Sequence, residues 1–194
     1  LFDYQFDPSN RFYSKSWVPY SEDKQALPDK FRYNLNQWRS YLKLPQSIHD
    51  TVIRQFIYQH ANISLQKQSP ISRFIDDKPN AEEIWHYLVL MNEYKSYLLP
   101  SGGIWDYSTY TNAVGHDTVN AFTSKCEVMI QSSKETFIKW RFLYLILRAN
   151  HFNKFHDLAI QAFEKYYPLI PQDHSLAQYW CEGMYAGALL RIKQ

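Results

Sequence analysis

The sequence predicts an all-α protein, a compact bundle of about six or seven helices (residues 29–194) preceded by an extended N-terminal arm (residues 1–28). The chain has only 5 Gly among 194 residues, and β-sandwiches and barrels need many tight turns. After residue 28, apolar residues recur at helical spacing, and prolines and polar helix-start signals separate the repeating stretches. The length is that of a single domain.

The first helix is predicted between Pro28 and Pro45, because proline is tolerated at a helix start and ends a helix that it follows. Its apolar residues form one stripe at i, i+4, i+7 and i+11, namely Phe31, Leu35, Trp38 and Leu42. Ser47 and Asp50 resemble a capping box that starts a second helix. The buried residues expected on that helix are Ile48, Val52, Phe56 and Ile63. A short helix is expected to start at Ser69-Pro70, with Pro70 at the first helical position.

A third long helix is predicted from Asn80, its expected N-cap, to a stop at Pro100. The residues expected to face the core are Ile84, Leu88, Met91 and Leu98. Residues 101–115 are then expected to form the one substantial internal loop. A fourth helix over 116–131 follows, and its expected inward residues are Val119, Phe122, Cys126 and Met129.

The last three helices complete the predicted bundle. Ser132 and Glu135 indicate a capping box that starts a fifth helix. That helix is apolar on most sides, so it is expected to be central. Prolines at 168 and 171 end a sixth helix, and Asp173 is expected to cap a seventh that runs almost to Gln194.

Aromatic residues are frequent in the arm and follow no period of 2 or 3.6. The arm therefore has no helix or strand face of its own on which to bury its rings, which must lie on another surface. Aromatic side chains dominate many protein–protein interfaces, so we predict partner binding by the arm and by the 101–115 loop. The predicted partner-binding residues are Phe2, Tyr4, Phe6, Phe12, Tyr13, Trp17, Tyr20, Trp105 and Tyr107. An arm that folds back over its own helices is the alternative interpretation.

Charge is distributed unevenly along the chain, although the net charge is only +2. Residues 29–73 are basic and residues 74–107 are acidic, which predicts a dipolar surface. The basic segment is expected to meet an acidic partner or anionic lipid head groups through Lys30, Arg32, Arg39, Lys43 and Arg54. It lacks the dense Lys/Arg cluster of a dedicated nucleic-acid site. No apolar run is long enough to predict a transmembrane segment.

The sequence predicts no catalytic residue, cofactor or metal site, and hence no enzyme. Cys126 and Cys181 lie on separate predicted helices and form neither a disulfide framework nor a zinc motif. Glu83 and His86 supply one Glu-x-x-His element, whereas di-iron helix bundles need two. There is no Gly-x-Ser-x-Gly nucleophile motif and no phosphate-binding glycine loop.

Together these observations predict a non-catalytic accessory subunit that binds other protein subunits of a large assembly. The chain begins at Leu1 rather than Met, which predicts a cleaved leader and an organelle. A mitochondrial respiratory complex or ATP synthase fits best, with the subunit soluble or peripheral to the inner membrane.

Two alternatives remain open at this stage. The first is a small helical inhibitor, such as an immunity protein of the bacterial cytoplasm, whose acidic segment 74–107 mimics an anionic substrate. The second is an RNA-binding subunit of a ribonucleoprotein, suggested by the basic segment with Arg54 and His60.

Overall fold

The computed structural model describes residues 29–59, 63–98 and 114–192, and these residues contain helices and connecting turns without a strand. The elements are α1 (Asp29–Leu42), α2 (Asp50–Arg54), a π-helical turn (Gln55–Gln59), α3 (Ile63–Lys67), α4 (Ser72–Asp76), α5 (Ala81–Leu98), α6 (His116–Ser132), α7 (Thr136–Phe152), α8 (His156–Tyr166), a 3-10 turn (Tyr167–Leu169) and α9 (Leu176–Ile192). The all-α prediction is confirmed. The predicted arm and nearly all of the predicted 101–115 loop lie outside the described residues.

α7 is the central helix, as its sequence predicts. It packs against α5, α6, α8 and α9, and every residue from 140 to 150 is buried. The polar atom of the buried Trp140 has a partner there, because its indole Nε1 donates a hydrogen bond to the carbonyl oxygen of Pro171 at 3.0 Å. Among the described helices, none has both the length and the apolar character needed to cross a bilayer.

The second predicted helix differs from the structure in its continuity and in its buried face. It is divided into α2, the π-helical turn and α3. The fully buried apolar residues described there are Ile53, Phe56 and Ile57, whereas Ile48, Val52 and Ile63 are only partly buried. A π turn bonds i to i+5 and holds more residues per turn than an α-helix. The apolar face therefore changes register within it, which a constant helical period does not reproduce.

The two predicted capping boxes are wrong. α2 begins at Asp50 without a side-chain cap, and Ser132 is the last residue of α6 rather than a cap of α7. Glu135 precedes α7, and its carboxylate does not cap it. The α6–α7 connection is instead held from α5, because the Ser133 hydroxyl donates a hydrogen bond to Glu83 Oε2 at 2.6 Å.

The N-terminus of α9 is capped by Ser175 and not by Asp173 as predicted. The backbone N–H of Gln178 donates to Ser175 Oγ at 3.2 Å, which is the usual geometry of a serine N-cap. Asp173 Oδ1 instead accepts from the backbone N–H of Ser175 at 2.9 Å. The carboxylate thus shapes the turn that precedes the helix.

Candidate interaction sites

α9 is apolar on more sides than α7 and α8 cover. Its inner residues Ala177, Cys181, Met184 and Ala188 are buried. On its other side, Tyr179, Gly183, Ala186 and Leu190 recur at i, i+4, i+7 and i+11, the spacing of one helix face, and all four are exposed. We call these four residues the outer stripe. Leu190 is 66% exposed and Tyr179 is 42% exposed, so large apolar side chains stand at positions where polar residues are usual.

The outer stripe contains a glycine that no contact within the described chain requires. A methyl group built at Gly183 would meet no atom of the described residues outside its own helix turn within 4 Å, whereas one at Gly187 would lie 3.3 Å from Cε1 of His151. Gly187 is thus explained by the close approach of α9 to α7. Glycine inside a helix costs about 1 kcal/mol relative to alanine, and no contact within the described chain offsets that cost at Gly183.

A cleft of about 440 Å³ lies where the end of α1, the α4–α5 turn and the start of α7 meet. Its volume falls within the range of about 300–1,000 Å³ that is typical of small-molecule sites. The apolar and aromatic lining residues are Tyr41, Leu42, Phe74 and Pro79. The polar and charged lining residues are Lys43, Asp77, Lys78, Asn80 and Glu135.

Tyr41 forms the rigid wall of this cleft. Its ring stacks on Phe137 with the centroids 4.0 Å apart, and its hydroxyl accepts a hydrogen bond from Asn80 Nδ2 at 2.7 Å. The Lys78 ammonium lies 4.9 Å from the Tyr41 ring centroid and donates to the Tyr41 carbonyl oxygen. Burial raises the pKa of Tyr41 to about 12 and outweighs the lowering by Asn80. The hydroxyl is therefore neutral at physiological pH and has a proton to donate.

Lys43 enters the cleft from a strained backbone position. Its φ is 56°, in the left-handed region that glycine usually occupies at a helix C-terminus. The N–H of Leu44 bonds to the carbonyl of Arg39 at 2.9 Å and that of Lys43 to the carbonyl of Ser40 at 3.2 Å. This pair of bonds is a Schellman motif, so the end of α1 fixes the place from which the Lys43 side chain projects.

Among the predicted site residues that the structure describes, one lines the cleft. The predicted partner-binding residues Phe2, Tyr4, Phe6, Phe12, Tyr13, Trp17, Tyr20, Trp105 and Tyr107 all lie outside the described residues. Of the five predicted anion-binding residues, Lys43 lines the cleft. Arg32 is exposed on α1, Arg54 is partly buried, and Lys30 lies in the first turn of α1.

Arg39, the remaining predicted anion-binding residue, is engaged within the chain. It pairs with Asp50 at 2.6 Å, and its side chain is only 12% exposed. The same guanidinium donates to the carbonyl oxygens of Pro45 at 2.8 Å and Ile48 at 2.6 Å. These bonds hold the connection between α1 and α2. The binding of an anionic partner by these five basic residues is not tested by the structure and stays a prediction.

The histidines and carboxylates of the described chain do not assemble a metal centre. In residues 29–59, 63–98 and 114–192, no three His, Cys, Asp or Glu side chains are grouped as metal ligands would be. Glu83 is occupied by the hydroxyl of Ser133 and the backbone N–H of Lys134, and His86 is exposed. His151 and His156 do meet, with ring centroids 5.0 Å apart.

Neither a family model, nor a curated protein, nor a solved structure matches this chain.

The sequence contains a signal for the outer stripe in addition to the helical spacing of the buried residues. The last helix was predicted correctly, but Tyr179 and Leu190 fall opposite its buried residues. A helix with apolar residues on opposite sides is expected to be covered on both, and the mid-helix Gly183 marks one side as open to close approach. The cleft has no such signal, because its charged residues come from separate stretches of sequence.

Proposed function

We propose that this protein is a non-catalytic accessory subunit of a multi-subunit assembly, and that the outer stripe of α9 packs against an apolar helix of a neighbouring subunit. The small residues Gly183 and Ala186 lie between the larger Tyr179 and Leu190 along this face. Ridges of one helix pack into the grooves of another. The stripe itself has no charged residue, so its complement is an apolar surface rather than an acidic or basic one.

The observation on which the proposal depends is the exposed glycine at position 183. Small residues on a helix let another backbone approach closely. Gly187 has that role inside the molecule, against His151, and among the described residues none approaches Gly183 in the same way. A glycine in the middle of a helix lowers its stability, and close approach of a partner helix would offset that cost. Exposed apolar patches on a protein surface commonly mark interaction sites.

The particular assembly remains a prediction from the sequence. A mitochondrial respiratory complex or ATP synthase is the proposed setting, and the partner-binding arm and anionic lipid contact are parts of that same proposal. The inhibitor alternative predicts a single small partner, and the ribonucleoprotein alternative predicts a complex that ribonuclease disrupts. Native size before and after ribonuclease treatment therefore separates the three.

Leu190→Lys is expected to release the protein from its assembly, because a buried lysine at the interface would lose its hydration. On a native gel of a mild-detergent extract of its own cells, the wild-type chain should migrate far above its 23.3 kDa. The variant should migrate as the monomer. Leu169→Lys is the matched control, since Leu169 is 67% exposed against 66% for Leu190 but lies off the stripe.

Two results would contradict the proposal. Monomeric migration of the wild-type chain in its own extract argues against any assembly. Equal release of Leu190→Lys and Leu169→Lys argues against the outer stripe as the interface. Gly183→Ala is an independent test. The isolated chain should become about 0.5–1 kcal/mol more stable, while the fraction of the chain that is incorporated into the assembly should decrease.

A further inference from the structure

The cleft at the end of α1 contains charges of both signs that do not neutralise one another. Lys43 and Lys78 supply two ammonium groups, and Asp77 and Glu135 supply two carboxylates. In the part of the chain that the structure describes, the ion pairs are those of Arg39, Lys125 and Lys165 with their acidic partners. None of the four cleft charges takes part in one, although all line the same cavity.

We propose that this cleft binds a zwitterionic small molecule of the free α-amino-acid class with an apolar side chain. Such a ligand has one carboxylate and one ammonium group a few bonds apart. A cleft whose cations and anions form no ion pair with other described residues complements both ends, whereas a purely anionic or purely cationic ligand would leave one set of protein charges unmatched. This inference is independent of the outer stripe of α9.

Each part of such a ligand has a chemical partner among the lining residues. The carboxylate pairs with Lys43 and Lys78, and the neutral Tyr41 hydroxyl adds a donor. The ammonium pairs with Glu135, whose carboxylate is not used to cap α7, and with Asp77. The apolar side chain contacts Phe74, Leu42 and Pro79, which line the same cavity. Charge-assisted hydrogen bonds of this kind are the strongest that protein side chains form.

The backbone of Lys43 gives separate support to this assignment. Left-handed φ is unfavourable for a residue with a Cβ, and glycine is the usual occupant of this position in a Schellman motif. Residues held in unfavourable backbone regions concentrate at ligand-binding sites. Lys154 and His174 share this conformation elsewhere in the described chain, but of the three only Lys43, at φ 56°, lines the cleft.

Binding of four leucine derivatives to the folded chain tests the proposal directly by ligand-observed NMR. L-Leucine has both charges, N-acetyl-leucine only the carboxylate, leucine amide only the ammonium, and N-acetyl-leucine amide neither. Leucine is expected to bind at least about tenfold more tightly than the neutral compound, as two charge-assisted contacts imply. The two singly charged compounds should fall between them.

Two variants identify which protein charge meets which end of the ligand. Glu135→Gln should weaken leucine about tenfold and leave N-acetyl-leucine unchanged, because that compound has no ammonium group. Lys43→Gly should weaken leucine about two- to fivefold, as expected for an exposed charge, and leave leucine amide unchanged. The same variant should raise Tm by roughly 2–4 °C, because glycine relieves the strain at this φ. A loss of affinity with a gain in stability cannot come from unfolding.

Glu82→Gln and Lys134→Met are matched controls, since both residues are exposed and neither lines the cleft. They remove the same charges near the same site and should leave all four affinities unchanged. Equal binding of leucine and N-acetyl-leucine amide would overturn the proposal, as would an absence of leucine binding at millimolar concentration. Loss of leucine binding in the controls as well would show a long-range effect of charge and would also overturn it.

Discussion

Replacement of Arg141 by alanine is expected to lower the free energy of unfolding by about 3–5 kcal/mol, a range typical of large-to-small changes in a core. Arg141 lies in the middle of α7 and is only 1% exposed. Its guanidinium is 3.5 Å from the ring centroid of Phe137 and 4.9 Å from that of Trp38. Alanine would leave a cavity between these rings and would remove both cation–π contacts.

Hydrogen bonds within the described part of the chain stabilise the charge of Arg141. In the described part of the chain it forms no ion pair. It donates to Asn34 Oδ1 at 3.0 Å and to the carbonyl oxygen of Phe137 at 3.2 Å, and Asn34 donates in turn to the hydroxyl of Tyr58. Burial lowers the pKa of the guanidinium. Removal of Arg141 would leave Asn34 Oδ1 buried without its donor, which adds to the cost.

Two further substitutions separate the volume of Arg141 from its charge. Arg141→Met refills most of the space and no longer requires a buried charge, so its loss should be about 1–2 kcal/mol. Arg141→Lys keeps the charge but not the planar group that stacks on the rings, so it should resemble alanine more than methionine. Urea denaturation monitored by circular dichroism gives all three values. If methionine is as damaging as alanine, the hydrogen bonds of the charge contribute more than packing.

The helical pattern was sufficient to predict most of the fold. Along α1, Leu35, Trp38 and Leu42 are buried as their spacing predicts. The same reasoning failed at the π-helical turn, because a change of helical period is not visible in residue types alone. It also failed at Arg141 and Arg148, two buried cations on the central helix. The residue types of α7 predict apolar surroundings for these side chains. The aromatic rings and hydrogen-bond partners packed around them explain how the two charges are tolerated.

The candidate sites were less predictable than the helices because they depend on which segments meet. Lys43 and Glu135 are far apart in sequence and line one cleft only because α1 and the start of α7 pack together. The basic and acidic segments were recognised in the sequence. The net charge of a segment does not indicate which single residues come together in the fold. Gly183, by contrast, was visible in the sequence, and its exposure became informative only when Gly187 could be compared with it.

Acidification from about pH 7 to about pH 4.5 is expected to destabilise the wild-type protein by about 1–2 kcal/mol more than the variant His151→Gln, through linkage of proton binding to folding. The pKa of His151 is lowered from 6.5 to about 4, first by burial and then by the nearby positive charges of His156 and Arg191. Between these two values only the unfolded chain takes up the proton. The stability that neutral His151 allows is therefore complete above about pH 6.5 and is lost progressively as the pH falls towards 4.

The size of this effect follows from the shift and from the exposure of the ring. A shift of this extent corresponds to about 3 kcal/mol for a fully buried group, and partial exposure of His151 reduces the expected value. The free energy of unfolding of both proteins is measured by urea denaturation at the two pH values. The contribution of the carboxylates cancels in the difference, because they titrate in both proteins. Arg191→Gln should reduce the loss by removing one repulsive charge, while His86→Gln, at an exposed histidine, should leave it unchanged. An identical acid loss in wild type and His151→Gln would mean that the imidazole is solvated or protonated in the folded protein, contrary to its packing beside His156 and α9.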